Sequence, residues 1–128
     1  MTAIQVNQGD GVVHVLPGTY SGEGNRDLDF GGRNIRIVST AGAESTVVDL
    51  GGMGGFLSLH SKETAESSLE GLTIRNGVND SSAVIDLEGA SLAIAGCVLS
   101  GNEGRLGAVS VSGGSLAMSD TVLSGNYA

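Results

Sequence analysis

The chain has 128 residues, which is enough for one domain and too few for two ordinary ones, so residues 1–128 are treated as a single domain. Its 22 glycines and single proline, beside a 40% hydrophobic fraction, exclude both a disordered chain and a collagen, and the net charge of −8 argues against a nucleic-acid partner. No apolar run approaches the ~18 residues of a membrane span, and the single cysteine, Cys97, excludes an intramolecular disulfide.

Short segments of alternating apolar residues follow one another along the chain, broken by glycine and asparagine. This alternation is the period of a β-strand and not of a helix. In chain order, the pairs expected to face the core are Val13 and Val15, Leu28 and Phe30, Ile35 and Ile37, Val48 and Leu50, Leu57 and Leu59, Leu72 and Ile74, Ile85 and Leu87, Leu92 and Ile94, Cys97 and Leu99, Val109 and Val111, Leu116 and Met118, and Thr121 and Leu123.

These segments belong to a repeat. Residues 91–102 and 115–126 are near copies, SLAIAGCVLSGN and SLAMSDTVLSGN, at a spacing of 24 residues. A looser copy covers 69–77, and VVDL at 47–50 recurs as VIDL at 84–87. Three short strands in each repeat predict an all-β solenoid of about four turns, with the strands of successive turns stacked in parallel.

We align the apolar pairs into three predicted stacks. The first contains the pairs that begin at Val13, Val48, Ile85 and Val109; the second those at Leu28, Leu57, Leu92 and Leu116; and the third those at Ile35, Leu72, Cys97 and Thr121. This alignment places Asp49 over Asp86 on the outer face, between His14 and Ser110. It also makes the first two turns longer than the rest, with loops at Thr19–Asp27 and His60–Ser68.

The sequence resembles the pectate-lyase-like right-handed parallel β-helix superfamily, and above all the repeat regions of bacterial surface and secreted β-helix proteins. The phrases that carry the resemblance are GDGVVHVLPGTY at 9–20, FGGRNIRI at 30–37, GAESTVVDL at 42–50 and LEGLTIRNG at 69–77. It implies a single-stranded right-handed β-helix and an extracellular or cell-surface location. It does not imply one function, because this fold carries lyases, hydrolases, adhesins and structural rods.

Candidate chemistry is sparse. We interpret Asp49 and Asp86 as a solvated acidic ladder and expect no metal site; as the alternative they are weak metal-ligand candidates, since two stacked carboxylates could share a calcium ion. His14 and His60 have no acidic partner at a motif spacing, so we interpret both as surface residues. Cys97 is expected to pack inward as a small apolar side chain. We therefore expect no catalytic residue, no cofactor and no enzyme activity.

The ends of the predicted solenoid are its most informative feature. Families with this fold usually begin with a capping helix, whereas here Ile4 and Val6 indicate a strand. The last turn, which is normally atypical in a solenoid, is the most regular of all. An uncapped solenoid can stack head to tail with copies of itself. The residues expected to form that contact are Ile4, Val6, Val13, Val15, Leu28, Phe30, Val109, Val111, Leu116, Met118, Thr121 and Leu123.

We therefore predict a structural subunit that assembles into a filament or a surface layer. The alternative is a carbohydrate-binding or carbohydrate-modifying fragment of a larger secreted β-helix protein, with a polysaccharide as its partner. A designed or trimmed repeat scaffold is a third interpretation. The size of the protein in solution distinguishes the first of these from the other two.

Overall fold

The computed structural model describes residues 11–22, 25–64 and 66–127, and in this part of the chain it is an all-β solenoid without α-helices. The strands make four turns of the solenoid, and two further strands follow the fourth turn. In chain order the strands are β1 (Val12–Val15), β2 (Gly18–Tyr20), β3 (Arg36–Ser39), β4 (Thr46–Asp49), β5 (Leu57–Leu59), β6 (Ser68–Glu70), β7 (Thr73–Arg75), β8 (Val78–Asn79), β9 (Ile85–Glu88), β10 (Leu92–Ala95), β11 (Val98–Ser100), β12 (Glu103–Gly104), β13 (Val109–Ser112), β14 (Leu116–Ser119) and β15 (Val122–Ser124).

Equivalent strands of successive turns pair in parallel, which confirms the predicted solenoid of about four turns. Sheet A has the order β1-β3-β6-β10-β14, and sheet B has the order β2-β4-β7-β11-β15. Sheet C contains β5, β9 and β13 and is extended by a parallel bridge between Leu28 and Leu57. A short pair, β8 and β12, forms sheet D at one corner. The described residues include no helix long and apolar enough to cross a membrane.

Inward-facing apolar residues of the three long sheets form one continuous core. Ile37, Val48, Leu59, Ile74 and Leu87 are each fully inaccessible to solvent. Ile37 belongs to sheet A, Val48 and Ile74 to sheet B, and Leu59 and Leu87 to sheet C. Side chains from three directions therefore fill the core. The predicted inward positions are therefore confirmed from Val15 to Leu99, because alternation along each strand directs every second side chain to the core.

Glycine and asparagine make the corner that follows sheet B. Gly101 and Gly125 follow β11 and β15 with φ angles of 62° and 63°, which cost a residue without a Cβ atom little. Asn102 is fully buried next to this corner; its Oδ1 accepts a hydrogen bond from Gly77 N (2.9 Å), and its Nδ2 donates to Ile74 O (3.0 Å). Asn126 makes the equivalent bonds to Asn102 N and Leu99 O, so one side chain ties each turn to the turn before it.

The stacking of the early strands differs from the predicted alignment. Val13 lies beside Ile37 in sheet A and not beside Val48, because the chain completes its first turn in 24 residues. Val48 lies beside Ile74, and Ile85 lies beside Leu57. The predicted stacking is correct for Leu28 on Leu57 and for the last two repeats.

The two predicted loops also need correction. The first, Thr19–Asp27, begins within strand β2 and does not lengthen the first turn. The second, His60–Ser68, does lengthen its turn, since Ile37 pairs with Leu69, although Ser68 already belongs to β6. This loop is fixed to the body of the solenoid by the buried Glu63, whose carboxylate accepts hydrogen bonds from Gly32 N and Ser61 N, both at 2.9 Å.

Candidate functional sites: an open end and an acidic groove

The C-terminal turn exposes side chains that are buried everywhere else in the solenoid. Leu99 and Leu123 occupy the same position in neighbouring turns of sheet B, yet Leu99 is 1% exposed and Leu123 is 51% exposed. Ile94 and Met118 show the same contrast in sheet A, at 1% and 38%. Among the described residues, no further turn covers the inward side chains of this turn. We call the exposed apolar set at this end the C-terminal face: Val111, Met118, Leu123 and the neighbouring Tyr127.

Strand edges accompany these exposed side chains. Within the described residues, β14, β15 and β13 are the last strands of sheets A, B and C. A last strand presents backbone N–H and C=O groups that can pair with a further strand. Val109, Leu116 and Thr121 lie in the same turn and are only partly exposed. The predicted C-terminal contact residues thus lie in these three strands or, for Thr121, directly before β15.

The first described turn has a different surface. Val15, Leu28 and Phe30 are all buried, and Val13 is partly buried. These residues therefore do not form an exposed apolar face like the one at the C-terminal end. Ile4 and Val6, the remaining residues of the predicted contact, lie outside the described part of the chain.

The predicted acidic ladder of Asp49 and Asp86 does not form, because the two residues lie in different sheets. Asp49 in β4 has Arg75 as its strand neighbour, and its Oδ2 lies 3.2 Å from Arg75 Nε. A hydrogen bond from the Asn76 side chain, with help from Gly51 N and Arg75, holds the pKa of Asp49 below its ordinary value. Asp49 is thus part of an ion pair. His14, expected beside it, is the strand neighbour of Val38 in sheet A.

Asp86 lies instead on the outer surface of sheet C, between Ser58 and Ser110. It lines a groove of about 270 Å³, which we call the sheet C groove. The other residues that line this groove are Asp27, Leu28, Asp29, Gly55, Leu57, Ser58, His60, Asn79, Ser81, Ser82, Ala83 and Val84. Carboxylates, hydroxyls and an imidazole therefore share one depression beside sheet C.

Two paired groups occupy this region. His60 is exposed, as expected, but its Nε2 lies 3.1 Å from Asp29 Oδ2, so it has an acidic partner that no sequence motif indicated. Asp86 bonds to the side chain of Glu88, two residues further along the same strand. This bond and the negative charge of Asp86 raise the pKa of Glu88, while the neighbouring His60 acts in the opposite direction.

Sequence reasoning missed this groove because it assigned β5 and β9 to different sheets. The signal that could have identified it is the alternation DLE at 86–88, which directs Asp86 and Glu88 to the same outer face. Within the described residues, no group of three or more histidine, cysteine, aspartate or glutamate side chains could hold a metal ion.

Cys97 packs as the sequence predicts. It is 1% exposed, and its Sγ lies 3.5 Å from Leu69 O and 3.4 Å from Ala95 O. Burial raises the pKa of the thiol, which keeps it protonated and unreactive. Three comparisons with known proteins, by family model, by curated sequence and by solved structure, gave no match to this chain.

Proposed function

We propose that this protein is a structural subunit whose C-terminal face stacks head to tail on the first turn of the next copy, forming a filament or a surface layer. The observation that carries the proposal is the contrast between Leu99 and Leu123, equivalent residues with 1% and 51% exposure. The C-terminal face has the pattern of an interior layer and is exposed like a surface. Contiguous exposed apolar patches of this kind mark interaction sites.

The strand edges give such a contact its direction. In each of the three long sheets, a strand of an incoming copy can add to the last strand in parallel, as every earlier strand has done. Backbone hydrogen bonds then provide affinity, and the inward side chains provide specificity. Among the described strands, β1 and β2 stand first in sheets A and B, so the first turn of the next copy is the proposed partner.

The geometry of this contact produces an open assembly. The C-terminal face and the first turn are different surfaces, so each copy would use both. A solenoid end has a cross-section of the order of several hundred Å², and its contact would bury about the ~1,000 Å² of a specific interface. Head-to-tail contacts along one axis continue without closing. The placement of this assembly at the cell surface, like membership of the pectate-lyase-like superfamily, rests on the sequence resemblance.

The test compares two lysine substitutions of exposed methionines. Met118→Lys places a charge on the C-terminal face, whereas Met53→Lys makes the same change at an exposed corner far along the chain from it. We expect the unmodified protein and Met53→Lys to form large assemblies in multi-angle light scattering. Met118→Lys should have the mass of a single chain, because burying an unpaired ammonium group at the contact is costly.

Circular dichroism supplies the control for folding. Met118 is already 38% exposed, so the lysine can remain in water in the single chain and the strand signal should persist. A single-chain mass for the unmodified protein at all concentrations would contradict the proposal. Assembly of Met118→Lys to the same extent as Met53→Lys would also contradict it.

A further inference from the structure

Asn76 and Gly77 form the only Asn-Gly pair in the sequence, and they lie at the corner that follows β7. In such a pair the backbone nitrogen of the glycine can attack the side-chain carbonyl carbon of the asparagine, because no Cβ atom hinders the approach. The attack closes a succinimide ring and expels ammonia. Water then opens the ring at either carbonyl, which leaves aspartate or isoaspartate. The sequence therefore places one chemically labile residue at a corner of the solenoid.

The nucleophile of this reaction is held by the next turn. Gly77 is buried, and its N–H donates a hydrogen bond to Asn102 Oδ1 at 2.9 Å. Asn102 is itself fully inaccessible to solvent, so water does not take the place of this bond while the corner is closed. A nitrogen bonded in this way keeps its proton and points away from attack. One side chain, that of Asn102, thus blocks the Gly77 nitrogen.

The asparagine is fixed by the preceding turn. Asn76 has a φ of 61°, its Nδ2 donates a hydrogen bond to Asp49 Oδ1 at 3.1 Å, and its backbone oxygen accepts one from Gly52 N at 2.6 Å. The residue is nevertheless exposed, so water reaches it at once when the corner opens. Closure of the ring requires the side-chain bond to Asp49 and the bond at Gly77 N to break.

From these contacts we propose that Asn76 is a self-modification site of this protein and that Asn102 sets the rate by holding the Gly77 nitrogen. Each local opening of the corner permits the attack. The corner does not re-form around either product. Aspartate places a second carboxylate against Asp49, where the amide now donates, and isoaspartate adds a methylene group to the main chain and shifts Gly77 away from Asn102. The change is one-way, loosens the contact between two turns and is independent of head-to-tail stacking.

Peptide mass spectrometry of the aged protein tests this site. The protein is kept in mildly alkaline buffer, folded or in urea, and loss of the side-chain nitrogen of Asn76 is followed together with isoaspartate. We expect the loss to be at least tenfold slower in the folded protein than in urea. Asn102→Ala should lose the nitrogen at least fivefold faster than the unmodified protein while circular dichroism still shows the strand signal. Equal rates in these two folded proteins would overturn the proposal, as would no loss in urea.

Two variants separate a local effect from general loss of stability. Leu87→Ala removes a fully buried side chain of sheet C and destabilises the core, but it leaves the bond between Gly77 and Asn102 in place. Asn126→Ala removes the equivalent side-chain bonds one turn later. Both should lose the Asn76 nitrogen less than twofold faster than the unmodified protein. Acceleration by either to the extent of Asn102→Ala would contradict control by Asn102.

Hydrogen exchange supplies a measurement that needs no variant. In the unmodified protein, urea below the unfolding transition should accelerate exchange of the Gly77 N–H and loss of the Asn76 side-chain nitrogen by the same factor. Both processes require the bond from Gly77 N to Asn102 to open. A rate of nitrogen loss that stays constant while exchange accelerates would contradict the proposal.

Discussion

Asn102 shows how a single side chain connects successive turns. It is fully buried, and its amide bonds to one N–H and one C=O of the preceding turn. Buried backbone groups without partners are costly, so this amide stabilises a corner where the strand ladder is interrupted. Asn126 makes the same bonds one turn later, where the residue is partly exposed.

This pair provides a matched prediction on stability. Asn102→Ala should lower the free energy of unfolding by about 2–4 kcal/mol, because it leaves Gly77 N and Ile74 O buried without partners. Asn126→Ala should cost about 1 kcal/mol or less, since Asn126 is partly exposed and water can take the place of its side chain. Urea denaturation followed by circular dichroism measures both values. Equal losses would show that the burial of Asn102 is unimportant.

Acid should weaken the fold through carboxylates that are bonded only in the native state. A hydrogen bond from Ser68, with a smaller contribution from Arg36, lowers the pKa of Glu70, and the Asn76 side chain lowers that of Asp49. A lowered folded-state pKa means that the unfolded chain binds protons more readily. The stability contributed by these groups is therefore present at neutral pH and is lost as pH falls below about 4.

Urea denaturation at pH 5 and pH 3 tests this dependence. The double variant Asp49→Asn/Glu70→Gln should lose less stability between the two pH values than the unmodified protein. The difference should be below about 1 kcal/mol for each group, because both ion pairs are partly exposed. Glu44→Gln, at an exposed corner residue, is the control. An unchanged pH dependence in the double variant would contradict the assignment.

At the scale of the strand, alternation of apolar residues identified the core but not the order of stacking. Ile85 and Leu87 face inward as expected, yet their strand lies in sheet C with β5. The likeness of VIDL to VVDL favoured a place beside β4, whereas β4 lies in sheet B. Any of the three sheets accepts an apolar pair at its inward positions, so periodicity alone does not say which sheet a strand joins.

Stacking was predictable where the sequence repeats closely. Leu92 and Leu116, 24 residues apart in near copies, are strand partners as expected. The earlier turns differ in length and sequence, and long-range pairing decides their register. The sheet C groove depends on that register, which is why its acids could not be brought together from the sequence.

Engineered disulfides distinguish the observed stacking from the predicted one. Val47 and Thr73 are strand partners on the outer face of sheet B, whereas Asp49 and Asp86 were expected to be neighbours and lie in different sheets. Paired residues on adjacent strands lie about 4.8 Å apart, within the range of a disulfide. Val47→Cys/Thr73→Cys should therefore cross-link on mild oxidation, and Asp49→Cys/Asp86→Cys should not.

Mass spectrometry after trapping of free thiols shows which cysteines are cross-linked. The buried Cys97 should remain reduced in both variants. Cross-linking of the second pair within one chain would restore the predicted acidic ladder and remove the basis of the sheet C groove. Failure of the first pair to cross-link would contradict the observed register of β4 and β7.

At the scale of the whole molecule, the two ends of the described solenoid differ in the exposure of their apolar residues. The C-terminal face exposes apolar residues at the last strands of three parallel sheets, whereas Val15, Leu28 and Phe30 of the first described turn are buried. The exposed inward residues of the last described turn could be covered by one further turn of the same kind. If every copy made this contact, the stacked copies would form one longer solenoid.

Electron microscopy of the purified protein tests the stacking most directly. In the described part of the chain, sheets A and B each contain five strands, and sheet C has three strands and a bridge. Continued parallel stacking therefore predicts filaments with an axial repeat of four to five strand spacings, about 19–24 Å. Isolated particles of single-chain size at high concentration, or filaments with an unrelated repeat, would contradict head-to-tail assembly through the C-terminal face.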